Sequence, residues 1–171
     1  MPIGRFLKPK SLGGNRVILD VRRLTRKPTL NILELLKIHD DPEHWEYPLG
    51  FDYNAEQKRF LQFAGAFSAA LNLNPKIETG SCIQDASFHS QLIFSVGLAK
   101  FHSLRFSNFG SFITINDGED LPEEMLATTL QLADEFGYTY IPYRYLDADY
   151  TGSNPGVTGI DSWWIRYFDY V

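Results

Sequence analysis

The stretch Phe88-His89-Ser90-Gln91-Leu92-Ile93-Phe94-Ser95-Val96 decides the fold class. Phe88, Ser90, Leu92, Phe94 and Val96 alternate with His89, Gln91, Ile93 and Ser95, a period of two that marks a strand with one buried face. Two further strand-like runs follow, Phe101 to Phe106 and Ser111 to Ile115. Gly97 to Lys100 can turn the chain between the first pair, and Asn108-Phe109-Gly110 permits a tight turn between the second. A three-stranded antiparallel meander is expected.

Helical patterns flank this meander. Phe60, Leu61, Phe63, Ala64, Phe67, Ala70 and Leu71 recur at steps of three and four, so residues 54–73 read as a helix. Asn54 would cap it, with Gln57 three residues on, and Asn74-Pro75 would end it. The apolar stripe is broad enough that this helix should be mostly buried. A second helix follows the meander. Asp120 would cap it, Pro122 and Glu123-Glu124 suit its first turn, and Gly137 suits a left-handed end. Thr29 to Ile38 predicts a shorter helix, and Val17 to Val21 a short strand. Tyr138 to Leu146 predicts an aromatic strand. Ala148 to Gly159 reads as a loop, and Ser162 to Val171 as a last strand apolar on both faces and so covered on both sides. The order implies an α+β fold: a single mainly antiparallel sheet with two or three helices packed against it.

The 171 residues suit one domain, with residues 1–16 as a loose basic arm. The chain holds 13 Phe, 9 Tyr and 3 Trp, which excludes a disordered chain. No apolar run approaches the roughly 20 residues that span a bilayer, and no secretory h-region is visible, so a cytoplasmic protein is expected. A net charge of −5 conceals segregation. Residues 1–28 hold eight basic side chains against Asp20 alone, a charge of +7, so the other 143 residues carry −12. An acidic body discourages nucleic-acid binding and favours a basic partner.

The residues with chemistry give no enzyme signature. His39, Asp40, Asp41, Glu43 and His44 are metal-ligating types, but Pro42 breaks any helical spacing and no standard zinc pattern matches. A solvated capping loop is the simpler reading, and no metal or cofactor is expected. Cys82, the one cysteine, could act as a nucleophile only beside His89 or His102. A lone cysteine is more often a small buried hydrophobe. Asp117, Glu119, Asp120, Glu123 and Glu124 form an acidic run better explained by capping and helix-dipole compensation than by paired catalytic carboxylates, though it could form a rim that attracts a basic partner. The glycines build neither a P-loop nor a dinucleotide fingerprint. Tyr and Trp often carry interface energy. A candidate partner-binding patch therefore comprises Asp117, Glu119, Asp120, Tyr143, Tyr145, Asp147, Asp149, Tyr150, Asp161 and Trp164, where aromatic and acidic side chains coincide.

About the last 60 residues carry a resemblance. Phe112 to Ile115, the helix Pro122 to Phe136, the run Tyr138 to Tyr143 and the ending Ser162-Trp163-Trp164-Ile165-Arg166-Tyr167-Phe168-Asp169-Tyr170-Val171 resemble small bacterial immunity proteins of polymorphic toxin and contact-dependent inhibition systems. The likeness lies in size, acidic body and aromatic-rich α+β layout. It implies a non-enzymatic protein that binds and neutralises one toxin domain. The basic segment 1–28 departs from that pattern. A small hydrolase using Cys82, or a structural subunit of a larger assembly, are the alternatives.

Overall fold

A computed structural model describes residues 31–97, 100–116, 118–153 and 159–170. The loose basic arm and the strand expected at Val17 to Val21 lie outside them. Five strands form one sheet: β1 (Lys76–Thr79), β2 (Phe88–Val96), β3 (Lys100–Ser107), β4 (Phe112–Ile115) and β5 (Thr139–Tyr140). They lie side by side in chain order. β1 to β4 are antiparallel, with Leu92 opposite Leu104 and Leu104 opposite Ile115, and β5 runs parallel to β4. The α+β class and the expected meander are both present. β1 lies in a segment where the sequence suggests no element, because four residues ending in Glu78-Thr79 hold too little pattern.

α2 (Tyr53–Leu71) and α3 (Glu123–Glu135) cover one face of the sheet. Phe60, Phe63, Ala64 and Phe67 fall at i, i+3, i+4 and i+7 and are buried against Leu92, Phe94, Leu104, Phe106, Ile113 and Ile115. Burying each ring contributes about 1.5–3 kcal/mol. Only this stripe of α2 is buried. Leu61 is 48% exposed and Ala70 is also exposed, so the expectation of a mostly buried helix is corrected. The cap also shifts: Asp52, not Asn54, accepts from the N–H of Ala55 at 3.0 Å. α3 starts after Pro122, and Asp120 sits in a preceding 3₁₀ turn.

The end of α3 follows the expectation. Gly137 has φ +73°, Tyr138 N–H donates to Ala133 O at 2.8 Å, and Gly137 N–H donates to Asp134 O at 3.1 Å. That pair is the Schellman pattern. A Cβ at Gly137 would meet nothing closer than the Arg59 side chain at 3.8 Å, so only the left-handed backbone opposes a side chain there. Gly137→Ala is expected to cost about 1 kcal/mol in urea unfolding.

The opposite face receives a second core from α1 (Ile32–Ile38), α4 (Tyr143–Leu146) and α5 (Trp163–Phe168). Leu36, Phe112, Ile141, Leu146, Trp163, Tyr167 and Phe168 are its buried members, with Phe109. α1 begins later than expected, with Asn31 as its cap. Two expected strands are corrected here. Ser162 to Val171 contains a helix, capped by Ser162, whose hydroxyl accepts from Ile165 N–H at 3.4 Å. Apolar residues at both odd and even positions fit two i, i+4 pairs equally well. Trp163 stacks on Tyr167 at 5.8 Å, and Trp164 packs on Phe168 at 5.9 Å. Tyr138 to Leu146 is also not one strand. β5 ends at Tyr140, Pro142 offers no N–H to a ladder, and Tyr145 N–H closes a helical turn onto Pro142 O.

Candidate functional site

The expected patch divides. Asp117 and the side chain of Glu119 lie outside the described residues. Asp120 is exposed and ion-paired with Lys100 at the start of β3. The hydrogen bond and charge of Lys100 hold its carboxyl below the ordinary carboxylate range. Tyr143, Tyr145, Asp147, Asp149, Tyr150, Asp161 and Trp164 gather around α4 and α5. Their rings are half-buried and engaged: Tyr143 meets Trp164 at 5.2 Å, and the Arg144 guanidinium lies over Tyr145 at 4.9 Å. Asp147, Asp149 and Asp161 are exposed. Tyr150 N–H donates to Asp161 O at 3.1 Å, and the Tyr150 hydroxyl donates to Asp40 at 2.6 Å.

That last bond belongs to a buried clamp. Arg166 and Asp40 have side chains 1% and 0% exposed, and Arg166 Nε donates to Asp40 Oδ1 at 2.7 Å. Three further guanidinium N–H groups donate to the carbonyls of Asp41 (2.8 Å), His44 (3.1 Å) and Trp45 (3.2 Å). Ser153 N–H donates to Asp40 Oδ2 at 2.7 Å. Loop 40–45 is therefore an internally tied segment rather than a freely solvated one. Asp41 turns back to cap Glu43 and His44. Among the described residues no group of three His, Cys, Asp or Glu is placed to hold a metal ion.

Immediately after the clamp, residues 46–53 form one wall of a groove of about 450 Å³. Tyr47 and Phe51 stack at 6.2 Å and 25°, and Phe51 meets Tyr53 at 6.5 Å. Tyr47 is 54% exposed. Ile83 to Ala86 form the facing wall, and Phe88, His89 and Asn108 also line it. Glu46 and Asp85 stand exposed at the rim, and neither has a cationic partner among the described residues. A second depression of about 320 Å³ adjoins it, sharing Phe51 and Asn108 and bordered by Glu56.

A β-bulge places His89 here. Register shifts between Phe88 and Ser90, so His89 is the extra residue and meets Phe106, Phe60 and Phe51 at ring distances of 6.0–6.3 Å. The imidazole is 3% exposed. Burial, then the charge of Arg59, pushes its pKa down to about 3, so it is neutral at physiological pH. Its Nδ1 is 2.9 Å from Ser90 Oγ, which is 2.9 Å from Thr79 Oγ1. His89 Nε2 has no hydrogen-bond partner. The Glu56 carboxylate, 3.9 Å from it, is held by Arg59, whose guanidinium also donates to Ser111 at 2.9 Å and lies over Tyr138.

The hydrolase geometry is not formed. Cys82 is exposed in the 3₁₀ turn Gly80–Cys82. His89 bonds to Ser90, and His102 bonds to Asn116 O, so neither imidazole is hydrogen-bonded to the thiol. Ser90 touches His89 but is 0% exposed, so it cannot meet a substrate. The groove is absent from the sequence reading; three aromatics within Tyr47-Pro48-Leu49-Gly50-Phe51-Asp52-Tyr53 are the signal that could have marked a ring-rich loop. Its convergence with His89 and Asn108 depends on tertiary contacts. Among the described residues no helix is long and apolar enough to cross a membrane. Comparison with protein-family models, curated proteins and solved structures finds no match to this chain.

Proposed function

We propose that the protein is a non-enzymatic binding protein that seats a basic segment of a partner protein, in the manner of an immunity protein occluding a toxin domain. The groove carries this reading. Its aromatic walls offer the ring surface that supplies interface energy, and Glu46 and Asp85 leave negative charge at its rim. The −12 carried outside residues 1–28 would steer a basic partner toward it. The neutral His89 and the buried Ser90 argue against acid–base or nucleophilic catalysis at the same place. The patch around Tyr143, Trp164 and Asp161 would extend such an interface or serve a separate contact.

Affinity capture from the producing cells, with the bound proteins identified by mass spectrometry, tests the reading. The expected result is one dominant partner of net positive charge that is at least about tenfold depleted with a Glu46→Lys and Asp85→Lys variant. If that partner is a toxin domain, co-expression with the wild-type chain should restore growth. Equal recovery by the charge-reversed variant would overturn the groove as the contact.

A further inference from the structure

Asn108 fixes the chemistry of what can enter the groove. Its Nδ2 donates to two carbonyls, Glu46 O at 2.6 Å and Ala86 O at 3.1 Å. Turning the amide over would set oxygen against oxygen at both, so the atom left buried and unpartnered is Oδ1, an acceptor. His89 leads to the same conclusion. The Thr79 hydroxyl donates to His89 O at 3.4 Å, which leaves the Ser90 hydroxyl to donate to Thr79 Oγ1. Ser90 Oγ then accepts from His89 Nδ1–H, closing a circuit in which each hydrogen is used once. Nε2 is thereby a bare lone pair, and it faces Glu56 Oε2 across 3.9 Å. Glu56 Oε2 already accepts from Arg59, so the two acceptors left without a donor are His89 Nε2 and Asn108 Oδ1, and buried acceptors without donors are costly.

Resting on the partner-binding reading above, we propose that this groove is a receptor for a guanidinium group, the side chain of an arginine presented by the partner. A guanidinium supplies several N–H donors in one plane, where an ammonium is a compact and strongly hydrated point. The stacked rings of Tyr47 and Phe51 present flat faces against which such a plane packs. The charge balance also fits. Glu46 and Asp85 have no cationic partner among the described residues, and His89 is uncharged. The neighbouring cations are engaged: Arg59 is bound to Glu56 and Ser111 over the Tyr138 ring, Arg105, over Phe88, donates to Gln91 and to Phe168 O, and Arg166 is paired with Asp40. A positive ligand therefore meets two free carboxylates and no free like charge among these residues.

Titration of the ¹⁵N-labelled full chain with N-acetyl-arginine amide tests the assignment by NMR. Saturable shifts are expected at the Asn108 side-chain amide and at the amides of Glu46, Phe51 and Asp85, with half-saturation on the order of 1 mM. N-acetyl-citrulline amide, which keeps the shape and loses the charge, and N-acetyl-lysine amide should each bind at least about tenfold more weakly. Glu46→Gln with Asp85→Asn, both exposed, should weaken arginine by about tenfold while leaving the rest of the spectrum in place. Equal binding of citrulline or lysine, shifts elsewhere on the chain, or no saturable response to arginine would overturn the proposal. Arginine binding without any captured partner removes the partner-binding reading and keeps this site. Capture of a partner without an arginine response keeps that reading and removes this one.

Discussion

Arg166→Met is expected to lower the free energy of unfolding by about 3–5 kcal/mol, read from urea denaturation. Arg166 and Asp40 are both removed from water, and each charge is tolerable because the other is 2.7 Å away. Methionine fills similar space but leaves the Asp40 carboxylate buried with, among the described residues, the Tyr150 hydroxyl and the Ser153 N–H to stabilise it. It also strips the carbonyls of Asp41, His44 and Trp45 of their donors. Adding Asp40→Leu to Arg166→Met removes the stranded charge and should recover part of the loss. Recovery should stop short of wild type by about 1–3 kcal/mol, because those carbonyls stay unpaired. The cycle separates charge pairing from carbonyl binding, and a loss under about 1 kcal/mol in the single variant would rule out the clamp as a main support. There is a functional counterpart. Trp45, the last carbonyl held, directly precedes Glu46 and Tyr47, so faster amide exchange should spread from 41–45 into the groove wall.

Two elements read accurately in position are those whose apolar residues follow one period, although β2 is buried at every position from Phe88 to Leu92 and not on one face alone as expected. The alternation in Phe88 to Val96 locates β2, and the three–four spacing of Phe60, Phe63 and Phe67 locates α2. Where a run is apolar at every position, period carries no information. Trp163 to Phe168 fits a covered strand or a helix with two aromatic pairs, and tertiary packing on Leu36 and Phe112 decides for the helix. The bulge at His89 is equally silent in sequence, yet it sets which face the imidazole joins. Asp40 and Arg166 are 126 positions apart, and nothing local marks either as a partner of the other. Asn108 was visible only as a turn former. Its side chain gains its role from Glu46 and Ala86, which the sheet edge and the ring-rich loop bring to it.

His89 should make stability depend on pH in one direction only. In the unfolded chain it titrates near 6.5, and in the folded chain near 3, because burial and Arg59 oppose the imidazolium. Between those values the unfolded chain binds a proton that the folded chain refuses, so stability falls as pH falls, by about 1.4 kcal/mol per pH unit. The contribution is fully present above pH 6.5 and is lost progressively toward about pH 3. His89→Gln removes this titration. Comparing urea unfolding of the two proteins at pH 7, 6, 5 and 4 cancels the carboxylates they share, and the wild type should lose about 2–3 kcal/mol relative to the variant between pH 6 and 4. The proximity of Glu56 Oε2, 3.9 Å from Nε2, allows the opposite case. An imidazolium paired with that carboxylate would have a raised pKa, and the wild type would instead gain stability over the variant as pH fell. Glu56 is already neutralised by Arg59, and the imidazole is 3% exposed, so the desolvation penalty prevails. The sign of the difference therefore reports whether His89 is the neutral acceptor that a guanidinium in the groove requires.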